Sequence, residues 1–249
     1  EKRSGRRLQF PPAGEAAVAA GGAAEMGAVL CCSSCSEEGP GSIVTKAMAP
    51  GTDEGSSLDD KKLIQLHSAI RWNKTVEEIQ AMIAGFGVSV ASAAAVQDAK
   101  NWNRALHIAA QNGHIVLVKW LIENKVDLNA QNLKGHTALH MSVEYDFYFQ
   151  SRLLLDAGAR PELKNQDGKE ALQGIDGGKV GADAWDNPVT ILRSADDDAE
   201  QLATALDALE KADPATLDKA ALAQAGMAKR KSCKVHWDAA RFMEIMRKL

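Results

Sequence analysis

Part of the chain repeats itself every 33 residues. Arg104-Ala105-Leu106-His107-Ile108-Ala109-Ala110 returns as Thr137-Ala138-Leu139-His140-Met141-Ser142-Val143, and Glu170-Ala171-Leu172-Gln173 stands another 33 residues on. Leu121-Ile122-Glu123-Asn124-Lys125-Val126-Asp127-Leu128-Asn129 recurs in the same register as Leu154-Leu155-Asp156-Ala157-Gly158-Ala159-Arg160-Pro161-Glu162. Upstream, Leu66-His67-Ser68-Ala69 precedes Leu106 by 40 residues, one period plus seven. A period of this size marks a supersecondary unit that cannot bury its apolar face alone, so neighbouring units must stack, and about three are needed for a core. Within one unit Leu106, Ala109 and Ala110 suit a short, closely packed helix, and Val118, Leu121 and Ile122 stripe a second.

Motif, period and helical patterning together resemble the ankyrin repeat, over about residues 58–192. Gly113-His114 after the first helix and the Asp127-Leu128-Asn129 ending add to the resemblance. It implies an all-α solenoid of about four repeats with degenerate terminal ones, each a pair of antiparallel helices carrying a hairpin-like finger. It also implies binding rather than chemistry. Finger tips and first helices would form one concave surface for a protein partner. By position that surface would use Asn101, Trp102 and Asn103, then Lys134 and His136, with Gln111, Asn112, Glu144 and Tyr145 from the helix ends.

Three departures from the family pattern carry expectations. Ala105 and Ala138 replace a helix-starting proline. Asp146 stands where Gly113 stands, a tolerable exchange in left-handed backbone. Trp102 stands at the finger glycine of the sister repeats, Gly135 and Gly168, which predicts a rearranged first finger. The seven extra residues of the first unit are expected mainly within Val88–Asp98.

Other patterns that suggest chemistry are weaker. His67, His107 and His140 recur at repeat spacing, and the resemblance makes them scaffold residues; units about 10 Å apart cannot share an ion through bonds of about 2 Å. Gly174-Ile175-Asp176-Gly177-Gly178-Lys179 looks like a phosphate loop, but Gln173 occupies the first glycine position and Val180 follows the lysine. Cys32-x-x-Cys35 is a single pair with no second, where structural zinc takes four ligands. Cys233 and His236 lie three apart without an orienting third group. No cofactor, metal or enzymatic activity is expected. Four cysteines in 249 residues do not make a disulfide scaffold. No run of apolar residues is long enough to cross a membrane.

Charge divides the chain: residues 1–57 carry a net −2, 58–182 are neutral, 183–218 carry −8 and 219–249 carry +6, for a total of −4. That total argues against a generic nucleic-acid binder. Residues 1–57 are rich in Gly, Ala, Ser and Pro and are expected to be a disordered leader, with too few core-forming residues to offset ordering entropy. Arg3, Arg6 and Arg7 precede an Ala-rich stretch, as in targeting peptides, yet Glu15 and Glu25 interrupt it. Were Met26 the start, Gly27 would be terminal beside Cys31, Cys32 and Cys35. That is a myristoylation-like and palmitoylation-like arrangement, although Cys31 departs from the Ser or Thr of the pattern. An accidental Met-Gly in a leader is the alternative. The expected setting is cytoplasmic, or the cytoplasmic face of a membrane if acylated.

Residues 193–249 are expected to be a separate helical segment of no recognised family. Asn187-Pro188 starts a helix and Asp196–Ala212 forms another. Asp213-Pro214 starts a third that Gly226 ends, and Val235–Leu249 is the last. Residues 227–249 combine Lys229-Arg230-Lys231, Trp237 and an apolar stripe, a pattern seen in calmodulin targets and membrane-surface helices. The competing reading packs the basic helix on its acidic neighbour. Two classes of function follow: a non-enzymatic adaptor or scaffold built on ankyrin repeats, or a regulatory or targeting unit of an enzyme.

Overall fold

The computed structural model describes residues 58–249, so the acylation-like positions Gly27, Cys31, Cys32 and Cys35 and the leader lie outside the described residues. Among the described residues there are eleven α-helices and no strand, only an isolated bridge between Lys164 and Glu170. Four repeats stack. The first pairs α1 (Asp60–Arg71) with α2 (Val76–Phe86), the second α4 (Ala105–Gln111) with α5 (Ile115–Glu123), and the third α6 (Ala138–Glu144) with α7 (Tyr148–Asp156). The fourth is degenerate: a single 3-10 turn, Ala171–Gln173, replaces its first helix, and α8 (Pro188–Ser194) is its second. First helices touch first helices along the stack (α1, α4, α6, then the 3-10 turn), and second helices form a parallel row (α2, α5, α7, α8).

Local chemistry sets these boundaries. Asp59 caps α1 through Lys62 N–H, and Thr75 and Glu78 close a reciprocal box at the start of α2. α2 ends at Gly87, whose φ of 74° no β-branched residue would adopt readily. The extra residues of the first unit lengthen α2 and form α3 (Val90–Ala95), inside the segment where the insertion is expected. At the turn between paired helices, Asn73, Gly113 and Asp146 all sit at positive φ (51°, 73° and 60°), so Asp146 does adopt the glycine conformation.

The repeat histidines are the connectors between units. His107 Nδ1 accepts from Arg104 N–H, and its Nε2–H donates to the carbonyl of His136 in the next finger, at 3.2 and 3.1 Å. His140 does the same with Thr137 N–H and the carbonyl of Lys169. His67 is the exception. Its Nε2 is buried without a hydrogen-bond partner.

A second core begins at α8. The boundary expected at residue 192 falls inside this helix, and Val189, Ile191 and Leu192 are buried with side chains of α9 (Ala199–Lys211), α10 (Lys219–Ser232) and α11 (Ala239–Lys248). Tyr148 and Phe149 of α7 pack against the same core, and Tyr148 stacks on Trp185 at 5.4 Å. The tail thus covers the end of the repeat stack.

Three tail expectations are corrected. Asp213-Pro214 forms a turn rather than a helix start; Asp218 caps α10 through Ala220 and Ala221 N–H. Gly226 lies within α10 and ends nothing, since the Phe242 ring covers it and shields the helix backbone that a glycine would otherwise leave to water. The last helix starts at Ala239, capped by Asp238, and not at Val235. Residues 233–238 instead tie the tail together: Cys233 Sγ reaches the carbonyl of Asp196, and His236 Nδ1 lies 3.1 Å from Asp197 Oδ1.

The charge reading of the tail has a concrete form. Arg241 of α11 bridges Asp207 and Glu210 of α9, which joins the basic and acidic blocks. Phe242 and Ile245 are buried, so these two residues of the apolar stripe of 227–249 would have to leave the fold to enter calmodulin, while Met227 and Met243 stay exposed.

Candidate partner-binding surface

Each finger is built by one Asx residue. Asn132 Oδ1 accepts from Lys134 and His136 N–H at 3.0 and 2.9 Å, and Asn165 Oδ1 accepts from Asp167 and Lys169 N–H, both at 3.0 Å. Asp98 plays this part in the first finger, its carboxylate accepting from Lys100, Asn101 and Asn103 N–H. The fingers are tied laterally: Leu133 N–H donates to Asn101 carbonyl, Gln166 N–H donates to Lys134 carbonyl, and the Gln166 side chain reaches Leu133 carbonyl. Consecutive tips therefore stand side by side at fixed register.

The first finger is one residue wider than the others, closing from Asp98 to Trp102 where the next closes from Asn132 to Gly135. Trp102 adopts the left-handed φ of its glycine counterparts, 57° against 77° and 73°, so the turn is widened but retained. Its indole is 46% exposed. The glycine at the next tip is needed for a different reason. A Cβ on Gly135 would come within 3.0 Å of backbone atoms of Asn165 and Gln166. Gly135→Ala should therefore destabilise by about 2 kcal/mol or more, combining left-handed strain with crowding of the neighbouring finger. Urea denaturation followed by circular dichroism measures this; a change under half that size would show that the fingers yield.

The other end of the first helices presents a second row. Trp72, Asn112 and Tyr145 are the C-caps of α1, α4 and α6, at equivalent positions. Trp72 is 77% exposed and Tyr145 40%. Trp72 is absent from the sequence-derived surface, although the 40-residue offset that aligns Leu66 with Leu106 also aligns Trp72 with Asn112.

Not all nine sequence-derived positions are open. Asn101, Trp102, Gln111, Asn112, Lys134 and Tyr145 are exposed. His136 is buried, and its imidazole, 5.9 Å from that of His140, is pushed below the usual histidine range by burial. Asn103 is committed to Asn132 Nδ2 at 3.0 Å. Glu144 holds the loop after the fourth-repeat turn, accepting from Ile175 N–H at 2.7 Å. These three are scaffold in this fold. Register alone placed them on the surface, and register does not show what a side chain bonds.

The remaining chemical candidates resolve into structure. Lys179 of the glycine-rich loop pairs with Asp146 at 2.6 Å. Cys233 is buried, and it and His236 address different residues of the tail. Among the described residues no cluster of three or more His, Cys, Asp or Glu is placed to hold a metal.

Comparison with known proteins names this architecture. The family model for ankyrin repeats (three copies) matches residues 34–132 and 66–165, which together span about half of the chain. The chain belongs to the ankyrin-repeat family, whose stacked units serve protein–protein interaction. Among human proteins it is 34% identical over 77 residues to SH3 and multiple ankyrin repeat domains protein 2, covering 31% of this chain and 4% of that one. It is 28% identical over 101 residues to human NF-kappa-B inhibitor zeta, covering 38% and 14%. The ankyrin repeat domain of Bcl-3, a member of the IkappaB family, superposes with a TM-score of 0.38 at 26% identity, over 43% of this chain and 44% of that one. The chain thus spans only a small part of these curated relatives' length.

Proposed function

We propose that the protein is a non-enzymatic adaptor that binds a protein partner on the face formed by the finger tips and the C-terminal ends of the first helices. Trp72, Trp102 and Tyr145 are its apolar anchors, and Asn101, Lys134, Gln111 and Asn112 are its polar surround. The observation that carries this reading is Trp102. A large aromatic residue occupies a left-handed turn where the sister repeats place glycine, and it points about half its surface to water. Strain at an exposed site suggests function, and Trp and Tyr are the residues most enriched among interface anchors. Burial of Phe242 and Ile245 weighs against the calmodulin reading of residues 227–249. The inhibitor name of one relative supports a regulatory form of binding.

The test is affinity capture on the immobilised full chain. Trp72→Ala and Tyr145→Ala should each release the retained partner, while Val116→Ala, an exposed apolar change on α5, should not. Retention insensitive to both aromatic changes overturns the placement.

A further inference from the structure

The tail contains a groove that the repeat-based reading does not use. On α10, Ala223, Gly226, Met227 and Arg230 face it; on α11, Ala239, Phe242, Met243 and Met246 do. Both sets follow the same spacing of three, four and seven residues, which is the stripe one helix presents to another. The two stripes flank a cavity of about 270 Å³, with Trp237 at its end. That is just under the usual size of a small-molecule site, and it suits one or two inserted side chains. Phe242 forms the floor and Gly226 permits it, since a Cβ there would lie 2.3 Å from the ring. Met227 and Met243 are 61% and 51% exposed on the rim, so no element among the described residues covers the groove.

Among the described residues, Arg230 is the one charged residue that lines it. Arg241 is engaged by Asp207 and Glu210, Lys248 by Glu244, and Lys229 by the carbonyl of Ala195. Arg230, Lys231, Lys234 and Arg247 make no ion pair among the described residues. Asp238 is committed to capping α11 through Arg241 N–H. A paired-helix furrow with an apolar floor, adaptable methionine walls and an unpaired Arg230 at its edge is complementary to a helix with an apolar stripe and an acidic flank. A flat bilayer surface would meet the ridges rather than the recessed Phe242.

We propose that the α10–α11 groove is a docking site for an acidic amphipathic helix of a protein partner, separate from the repeat surface. The probe is a synthetic peptide of about 16 residues with leucines at the i, i+3, i+4, i+7 positions and glutamates elsewhere. It is titrated into the full chain carrying ¹³C-methyl methionine. The Met227, Met243 and Met246 methyl signals should shift saturably, and added salt should weaken the effect. A peptide with lysine in place of every glutamate should bind at least about tenfold more weakly. Arg230→Glu, at an exposed position, should cost the acidic peptide about tenfold while leaving the fold intact, and Met243→Lys should abolish the shifts. Unmoved methyl signals, equal binding of both peptides, or no effect of Arg230→Glu would overturn the proposal. So would shifts caused by phosphatidylserine vesicles and not by the peptide.

Discussion

Taking the protein from about pH 7 to about pH 5 should remove about 4 kcal/mol of its stability, a large share of what a domain of this size has. Two buried histidines account for it. Burial pushes His67 and His107 down to about 4 from an unfolded value of 6.5. For His67 the charge of Asp98 opposes the shift and that of Arg71 adds to it; for His107 the carbonyls of His136 and Ala130 oppose it. The folded pKa lies below the unfolded one, so stability is fully present above about 6.5. It is lost as pH falls toward 4, because the unfolded chain takes up protons that the folded chain refuses. Each ring then contributes about 2 kcal/mol of loss by pH 5. His107 also has a geometric reason to stay neutral. Its Nδ1 accepts a backbone N–H, and a proton there would set two donors against each other. His140 is held low in the same direction and shares that geometry. Urea midpoints followed by circular dichroism at about pH 7, 6 and 5 provide the measurement. His107→Gln should flatten the slope by about one proton. A midpoint that does not move over this range would mean that the imidazoles reach water despite their burial.

How much of this was legible from the residues depends on whether the controlling contact lies within the repeat period. Period 33, the helix pairs and the insertion before Asp98 show in register, so alignment exposes them, while the scaffold role of the histidines comes from the resemblance to the ankyrin repeat. Asp98, Asn132 and Asn165 also recur nearly in register, and a search for Asx residues ahead of each finger glycine finds them. The tail has no period, and its boundaries follow contacts between residues far apart in the chain. α10 runs through Gly226 because Phe242 covers it, and residues 233–238 stay out of α11 because Asp196 and Asp197 hold Cys233 and His236. The surface is intermediate. Alignment locates positions but not commitments, so it does not show that His136 is buried or that the half-buried Asn103 and Glu144 are hydrogen-bonded within the scaffold. The degenerate first unit obscures the equivalence of Trp72 to Asn112 and Tyr145.

Replacing Trp102 with glycine should raise stability while destroying binding, a combination that a merely structural residue does not produce. At a φ of 57° a side chain with a Cβ costs about 1–2 kcal/mol that glycine does not incur. Against this stands the extra entropy glycine loses on folding, about 0.5–1 kcal/mol, so the net gain should be up to about 1 kcal/mol. The indole lies outside the apolar cores, so its removal leaves no buried cavity. Loss of a Trp anchor at the centre of an interface typically costs 2 kcal/mol or more, about thirtyfold in Kd. Trp102→Ala separates the two effects: it should lose the same affinity, keep the strained φ, and so gain no stability. The measurements are a urea titration of both variants and their affinity for whatever partner the immobilised wild-type chain retains. A glycine variant less stable than wild type would make the indole part of the scaffold, and a glycine variant with full affinity would remove Trp102 from the interface.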